Sequence, residues 1–312
     1  MASSGIKLLL DGINLLGKRL FEREVPTFGD PTVAASGTVR YVPDKYFDVN
    51  GIATLVHHRG ATTLPGSPPD LATGQAVLFL HDAGVNGNSF GDVMDLLVEG
   101  NSPFSIDLPG HGRSGSLDSL PTIEDMAAHV ESLILPWGLK SLVVVGEGLG
   151  AAIGVELAGN QALPVASLIC VGEVGPLVSL EAEIEELTKI TTGKARRQFD
   201  TTGFAPEPDE KIMRKAFSHW VTTDPRATLG ARKAQAEWNE RVNLGKVSCR
   251  TVVVIGGHTD ENRKASSLSF ASQISSSDIV TIESADRRSP QEVPSDFCAV
   301  ITETITQSSE NR

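Results

Sequence analysis

From residue 76 onward the chain repeats one unit: a short unbroken apolar run, a loop, then an amphipathic segment. The apolar runs fall at 76–80, 103–106, 141–145, 165–171, 250–255 and 278–282, and the amphipathic segments at about 89–98, 123–135, 149–157, 263–274 and 294–305. A strand that is apolar on both sides must be covered on both sides. Alternation with helices long enough to cross over selects a mainly parallel sheet between two helical layers. Upstream, 38–42 and 52–58 read as two further strands, joined by a turn at Asp48-Val49-Asn50-Gly51. The expected fold class is therefore α/β, a mainly parallel eight-stranded sheet with helices on both faces.

One stretch interrupts the alternation. Residues 176–245 are charged and helical, with Glu181-Ala182-Glu183-Ile184-Glu185-Glu186, Arg196-Arg197 and Trp220. An insertion at the carboxyl ends of sheet strands would lie over the crevice where such folds bind ligands, as a lid. The expected organisation is an N-terminal extension (1–37), a first core part (38–175), the helical lid (176–245) and a second core part (246–312). Leu9, Ile13, Leu16 and Leu20 recur at helical spacing within 6–21, which suggests an amphipathic helix packed on the body or forming a homo-oligomer contact.

Formal net charge is −12, from 27 Lys and Arg against 39 Asp and Glu, so the surface repels phosphate backbones and nucleic acid is not an expected partner. No apolar run approaches the roughly 18–20 residues that a membrane span needs. Cys170, Cys249 and Cys298 are odd in number and far apart. They read as reduced thiols of a cytoplasmic protein, with no zinc-ligand spacing among them. No metal and no cofactor are expected; the expected partner is a small-molecule ligand.

Three strings carry chemistry. Residues 76–84 read AVLFLHDAG, 105–115 read SIDLPGHGRSG, and 142–154 read LVVVGEGLGAAIG. They resemble the strand and oxyanion loop, the D-x-P-G-x-G-x-S turn, and the nucleophile elbow of the α/β-hydrolase superfamily. The resemblance implies that fold, and it implies a G-x-S-x-G elbow in which the central residue attacks the substrate. Here the elbow reads Gly146-Glu147-Gly148-Leu149-Gly150, so Gly148 holds the nucleophile position. Glycine has no oxygen or sulfur for a base to deprotonate. It does tolerate the strained positive φ of that turn without penalty.

By the same resemblance, TVVVIGGHTDENR (251–263) presents the acid at Asp260. Glu292 and Pro294 set the register of the last motif, which places Arg287 where the histidine base would be. An arginine stays protonated and accepts no proton. A salt bridge from Arg287 to Asp260 is the expected consequence. His258 is a displaced candidate base, Glu147 and Asp82 are candidate carboxylates, and His81 opens the oxyanion loop. Leu149 and Ala83 are expected to offer backbone N–H groups to an anion, and Trp220 to contact the ligand. Three readings follow: a non-hydrolytic enzyme steering a cyclisation, elimination or isomerisation; a non-catalytic ligand-binding or scaffold pseudo-hydrolase; or a hydrolase using residues the motifs do not reveal.

Overall fold

Asn50 and Gly51 both adopt positive φ, 54° and 83°, and they form the two-residue loop of a tight hairpin between β1 (Lys45–Val49) and β2 (Ile52–His58). Two consecutive left-handed residues match the twist of the strands they join. The structure thus has a strand at Lys45–Val49 that the sequence reading did not assign. The structure, a computed structural model, describes residues 44–172, 175, 180–199 and 201–310. The helix expected at 6–21, the extension 1–37 and the segment 38–42 lie outside the described residues.

The order continues with β3 (Ala76–Leu80), α1 (Gly91–Leu97), β4 (Ser102–Ile106), α2 (Ile123–Ile134), β5 (Leu142–Glu147), α3 (Leu149–Asn160) and β6 (Val165–Val171). Among the described residues, three α-helices follow before the sheet resumes: α4 (Glu181–Thr191), α5 (Glu210–Val221) and α6 (Pro225–Arg241). The chain then completes β7 (Arg250–Gly256), α7 (Glu261–Ser272), β8 (Ser277–Ile282) and α8 (Pro294–Glu310). The eight strands form one sheet in the order β1-β2-β4-β3-β5-β6-β7-β8, with β2 antiparallel to β1 and β4 and all later pairs parallel.

Strand alternation divides the core into two layers. Leu78, Leu80, Val144 and Val253 face one side, where they pack with Ile153, Leu157, Val130 and Trp238 from α3, α2 and α6. Val77, Phe79, Val143, Val145 and Val252 face the other, against Val93 and Met94 of α1 and Phe297 and Ile301 of α8. Both faces are therefore dry, as the unbroken apolar runs require.

The 105–115 string has a local structural cause. The buried Asp107 carboxylate accepts the Gly87 and Arg113 N–H groups, each at 2.8 Å, and meets His57 Nε2 at 2.8 Å. A Cβ on Gly112 would sit 2.2 Å from Asp107 Oδ2, so that position excludes a side chain. Burial alone would discharge His57, but Asp107 and Asp44 outweigh it and push the imidazole up to about 9. Among the described residues no helix is long and apolar enough to cross a membrane, and no cluster of His, Cys, Asp and Glu is placed to hold a metal ion.

Candidate functional site

Strand β5 ends at Glu147 and α3 begins at Leu149, so one residue makes the whole turn between them. That residue, Gly148, sits at φ 52° and ψ −106°. Gly146 and Gly150 have no room for a side chain either: a Cβ would meet Gly150 backbone at 2.4 Å in the first case and the Leu80 carbonyl at 2.0 Å in the second. The glycine triplet thus brings the start of α3 tight against β3, where the next loop begins.

That loop supplies the principal feature of the site. A Cβ on Gly148 would lie 2.3 Å from Asp82 Oδ1, so the Asp82 carboxylate stands where the side chain of residue 148 would be. The same Oδ1 accepts the Leu149 N–H at 3.0 Å. Asp82 is held there by Arg232 of α6, whose guanidinium donates to both carboxylate oxygens, at 2.8 and 2.9 Å. Arg232 also donates to Glu183 of α4 and to Gln235, each at 2.9 Å. Burial opposes charge on Asp82, but the Arg232 pair outweighs it and holds the carboxyl well below its ordinary range.

Glu147, one residue before the turn, is buried. Its Oε1 lies 3.4 Å from Arg288 Nη1, while Oε2 has no hydrogen-bond partner. Burial pushes this carboxyl up to about 7; Arg288 partly offsets the shift and the neighbouring Asp82 charge adds to it. Two carboxylates beside one turn are therefore driven apart, Asp82 firmly ionised and Glu147 poised near neutrality.

His81 is a structural residue: its Nδ1 donates to the Asp82 carbonyl at 2.7 Å and its Nε2 accepts the Leu108 N–H at 3.0 Å, so it fixes the loop and is held neutral by burial. Ala83 is buried and lines the pocket described below. The expectation that the Leu149 N–H stands open to a ligand is not met, because Asp82 fills it.

The expected pair between Asp260 and Arg287 does not form. Asp260 is exposed and caps α7, accepting the Asn262 and Arg263 N–H groups at 3.1 Å, and its side chain pairs with Arg263. The Arg287 guanidinium turns toward Thr202, 3.3 Å from Oγ1, and packs on Gly203. The two loops do meet, one residue earlier in each: the Thr259 hydroxyl donates to Asp286 Oδ1 at 2.8 Å. Glu292 accepts the Asp286 N–H at 2.9 Å, tying that loop to the short helix Ser289–Glu292. His258 is exposed on the loop after β7, and its backbone N–H bonds the Ala285 carbonyl.

The helices α4–α6 and the loops after β3 and β8 enclose a cavity of about 380 Å³. Ala83, Gly84 and Val85 line it from the core, and Arg288 from the loop after β8. The inserted segment contributes Leu187, Ile190, Phe199 and Trp220. The insertion is pinned to the core: the Thr223 hydroxyl donates to the Val85 carbonyl at 3.1 Å, and the Asn86 amide to the Thr222 hydroxyl at 2.9 Å. Trp220 stacks beneath Arg197, whose Cζ is 4.0 Å from the ring centroid. Sequence reasoning did not single out Arg232 or Arg288, and it noted Arg197 only as one of a charged pair.

Residues 77–300 match the sequence model of the alpha/beta hydrolase family. Over 131 residues the chain is 27% identical to the dihydrolipoyllysine-residue acetyltransferase component of the acetoin cleaving system of Cupriavidus necator; the alignment covers 42% of this chain and 32% of that protein. The match thus spans about a third of the relative's length. Among solved structures, the enol-lactonase of Burkholderia xenovorans superposes with a TM-score of 0.72 at 18% identity, covering 84% of this chain and 99% of that one. The esterase from Exiguobacterium antarcticum does so with a TM-score of 0.72 at 19% identity over the same shares. At such identities these structures speak for the fold.

Proposed function

The chain belongs to the alpha/beta hydrolase family, and we propose that within it this protein is a ligand-binding member without the serine-hydrolase route. The observation that carries the reading is the Asp82 carboxylate, which accepts the Leu149 N–H and stands within 2.3 Å of where a Cβ on residue 148 would be. Acyl transfer in this fold needs a nucleophile at the turn and a free N–H for the developing oxyanion. Here the first is glycine and the second is occupied by a fixed anion. Among the described residues no imidazole joins them: Arg287 occupies the base position of the motif, and His81 is committed to the loop.

The cavity beneath α4–α6 remains, at a volume typical of small-ligand sites. A cyclisation, elimination or isomerisation would call on the Leu149 N–H to stabilise negative charge, and Asp82 holds that donor. Binding is therefore better supported than turnover. The test is incubation with a fluorophosphonate followed by intact-mass measurement. The protein is expected to remain unlabelled, and a stoichiometric adduct at any residue would overturn the reading.

A second reading has its own support. Solved structures of similar fold include an esterase and an enol-lactonase, and Glu147 is a buried carboxyl poised near neutral pH with one unpartnered oxygen. Such a group could act as a general base on water, without a covalent intermediate. Under this reading hydrolysis would rise as pH increases through about 7, as Glu147 ionises, and would vanish in Glu147→Gln. Turnover that is pH-independent over that range, or unchanged in Glu147→Gln, would dismiss it.

A further inference from the structure

The acids and bases around the cavity are not matched. Glu183 is paired with Arg232, and Glu186 lies 3.9 Å from Lys189 within its own helix. Two guanidinium groups are left. Arg197 donates to the Trp220 carbonyl at 2.9 Å and stacks on its ring, and among the described residues no carboxylate lies within ion-pair reach of it. Among the described residues the Arg288 guanidinium makes a 3.4 Å contact with Glu147 and lies over the Phe204 ring at 5.6 Å. The larger cleft nearby, about 470 Å³, differs: its cations Lys215 and Arg59 are neutralised by Asp92 and Asp95.

Arg197 feels Asp224 at a distance and Arg288 is shared between Glu147 and Asp82, and each planar guanidinium carries five N–H donors, so both can engage an anion as well. The rest of the lining is mixed: Glu183, Glu186, Gln198, Thr228 and Gln291 add polar groups beside an apolar wall. Phe199 meets Trp220 and Phe217 edge-on, each pair with centroids 5.5 Å apart, and Leu187 and Ile190 extend the wall along α4. A guanidinium that is already stacked loses little freedom when it engages a carboxylate bidentately.

We infer that the cavity binds a small organic carboxylate with an aromatic or branched apolar body, its anionic end on Arg197 and Arg288 and its body against Phe199, Trp220, Leu187 and Ile190. This rests on the ligand-binding reading and names the ligand class for it. The anionic end does not use the Leu149 N–H, which Asp82 retains. A phosphate dianion suits the site less well, because Glu183 and Glu186 also line it and repel a second negative charge.

The test is isothermal titration of the intact protein with 3-phenylpropionate, 4-methylpentanoate, 3-phenylpropionamide, phenyl phosphate and inorganic phosphate. Saturable binding of the two carboxylates is expected, with the matched amide at least tenfold weaker and both phosphates weaker than the carboxylates. Arg197→Met should weaken carboxylate binding at least tenfold; the variant also loses the hydrogen bond to the Trp220 carbonyl and the ring stacking, and its thermal melt should stay cooperative and well above the titration temperature. Arg197→Lys should recover part of the loss. An amide that binds as well as its carboxylate would overturn the assignment while leaving a ligand-binding pocket in place. Tighter binding of phenyl phosphate, or no binding of either carboxylate at millimolar concentration, would overturn it as well. Hydrolysis of esters would instead count against the ligand-binding reading and leave the carboxylate titration to stand on its own.

Discussion

Arg232→Met is expected to lower the folding free energy by about 3–5 kcal/mol, the usual cost of removing one partner from a buried ion pair. The size follows from geometry. The Arg232 side chain is 6% exposed and that of Asp82 12%, and the two share two hydrogen bonds. Without the guanidinium, the Asp82 carboxylate keeps the Leu149 N–H but loses the charge that compensates its burial. The methionine fills comparable volume, so the loss reports on charge and not on a cavity. Urea denaturation checks it. A second variant, Arg232→Met with Asp82→Leu, should recover much of the loss, because no buried charge is then orphaned. A loss under about 1 kcal/mol in the single variant would mean that the pair is solvated and Asp82 free to leave.

Gly148→Ser is expected to cost at least about 3 kcal/mol and to create no esterase. A non-glycine residue at φ 52° and ψ −106° is strained by about 1–3 kcal/mol. Its Cβ would also press on Asp82 at 2.3 Å and force the carboxylate off Arg232, adding part of the cost of breaking that pair. The introduced hydroxyl would then face no base. Adding Arg287→His is not expected to help, since Asp260, the acid that would orient the new imidazole, is exposed and committed to Arg263 and the cap of α7. Denaturation curves and ester assays on both variants decide this. A Gly148→Ser variant as stable as the parent, with saturable activity, would show that Asp82 yields easily.

The two variants concern the part of the site that the sequence exposed least. The sheet was legible because its signal is local: unbroken runs such as 142–145 and 165–171 have only one way to be covered, and β3 to β8 fall within a residue or two of where they were read. The turn was legible for the same reason: Gly146 is required by the close approach of Gly150, Gly150 by Leu80 of the neighbouring strand, and Gly148 by its positive φ. The strand at Lys45–Val49 was missed, because Asp48 and Val49 read as part of the turn that Asn50 and Gly51 make by themselves.

Asp82 was visible as an unusual residue, but its role depends on Arg232, 150 residues away in an inserted helix. On α6 that arginine sits among Ala227, Ala231, Ala234 and Trp238 on a largely buried face, and no periodicity tells a buried guanidinium from a surface one. The Asp260–Arg287 pair failed by a single residue in each loop, because Thr259 and Asp286 make the contact instead. Motif register locates a loop well; which of two adjacent side chains turns inward is decided by neighbours such as Thr202, Gly203 and Glu292, far away in sequence.

Asp82 closes the turn at Gly148 from within the protein, and steady-state hydrolysis of a short-chain p-nitrophenyl ester by the unmodified protein, from mildly acidic to mildly alkaline pH, tests whether that turn can still do acyl transfer. The expected rate equals that of the heat-denatured protein at the same concentration at every pH. Saturable turnover above that level, lost on denaturation, would contradict it.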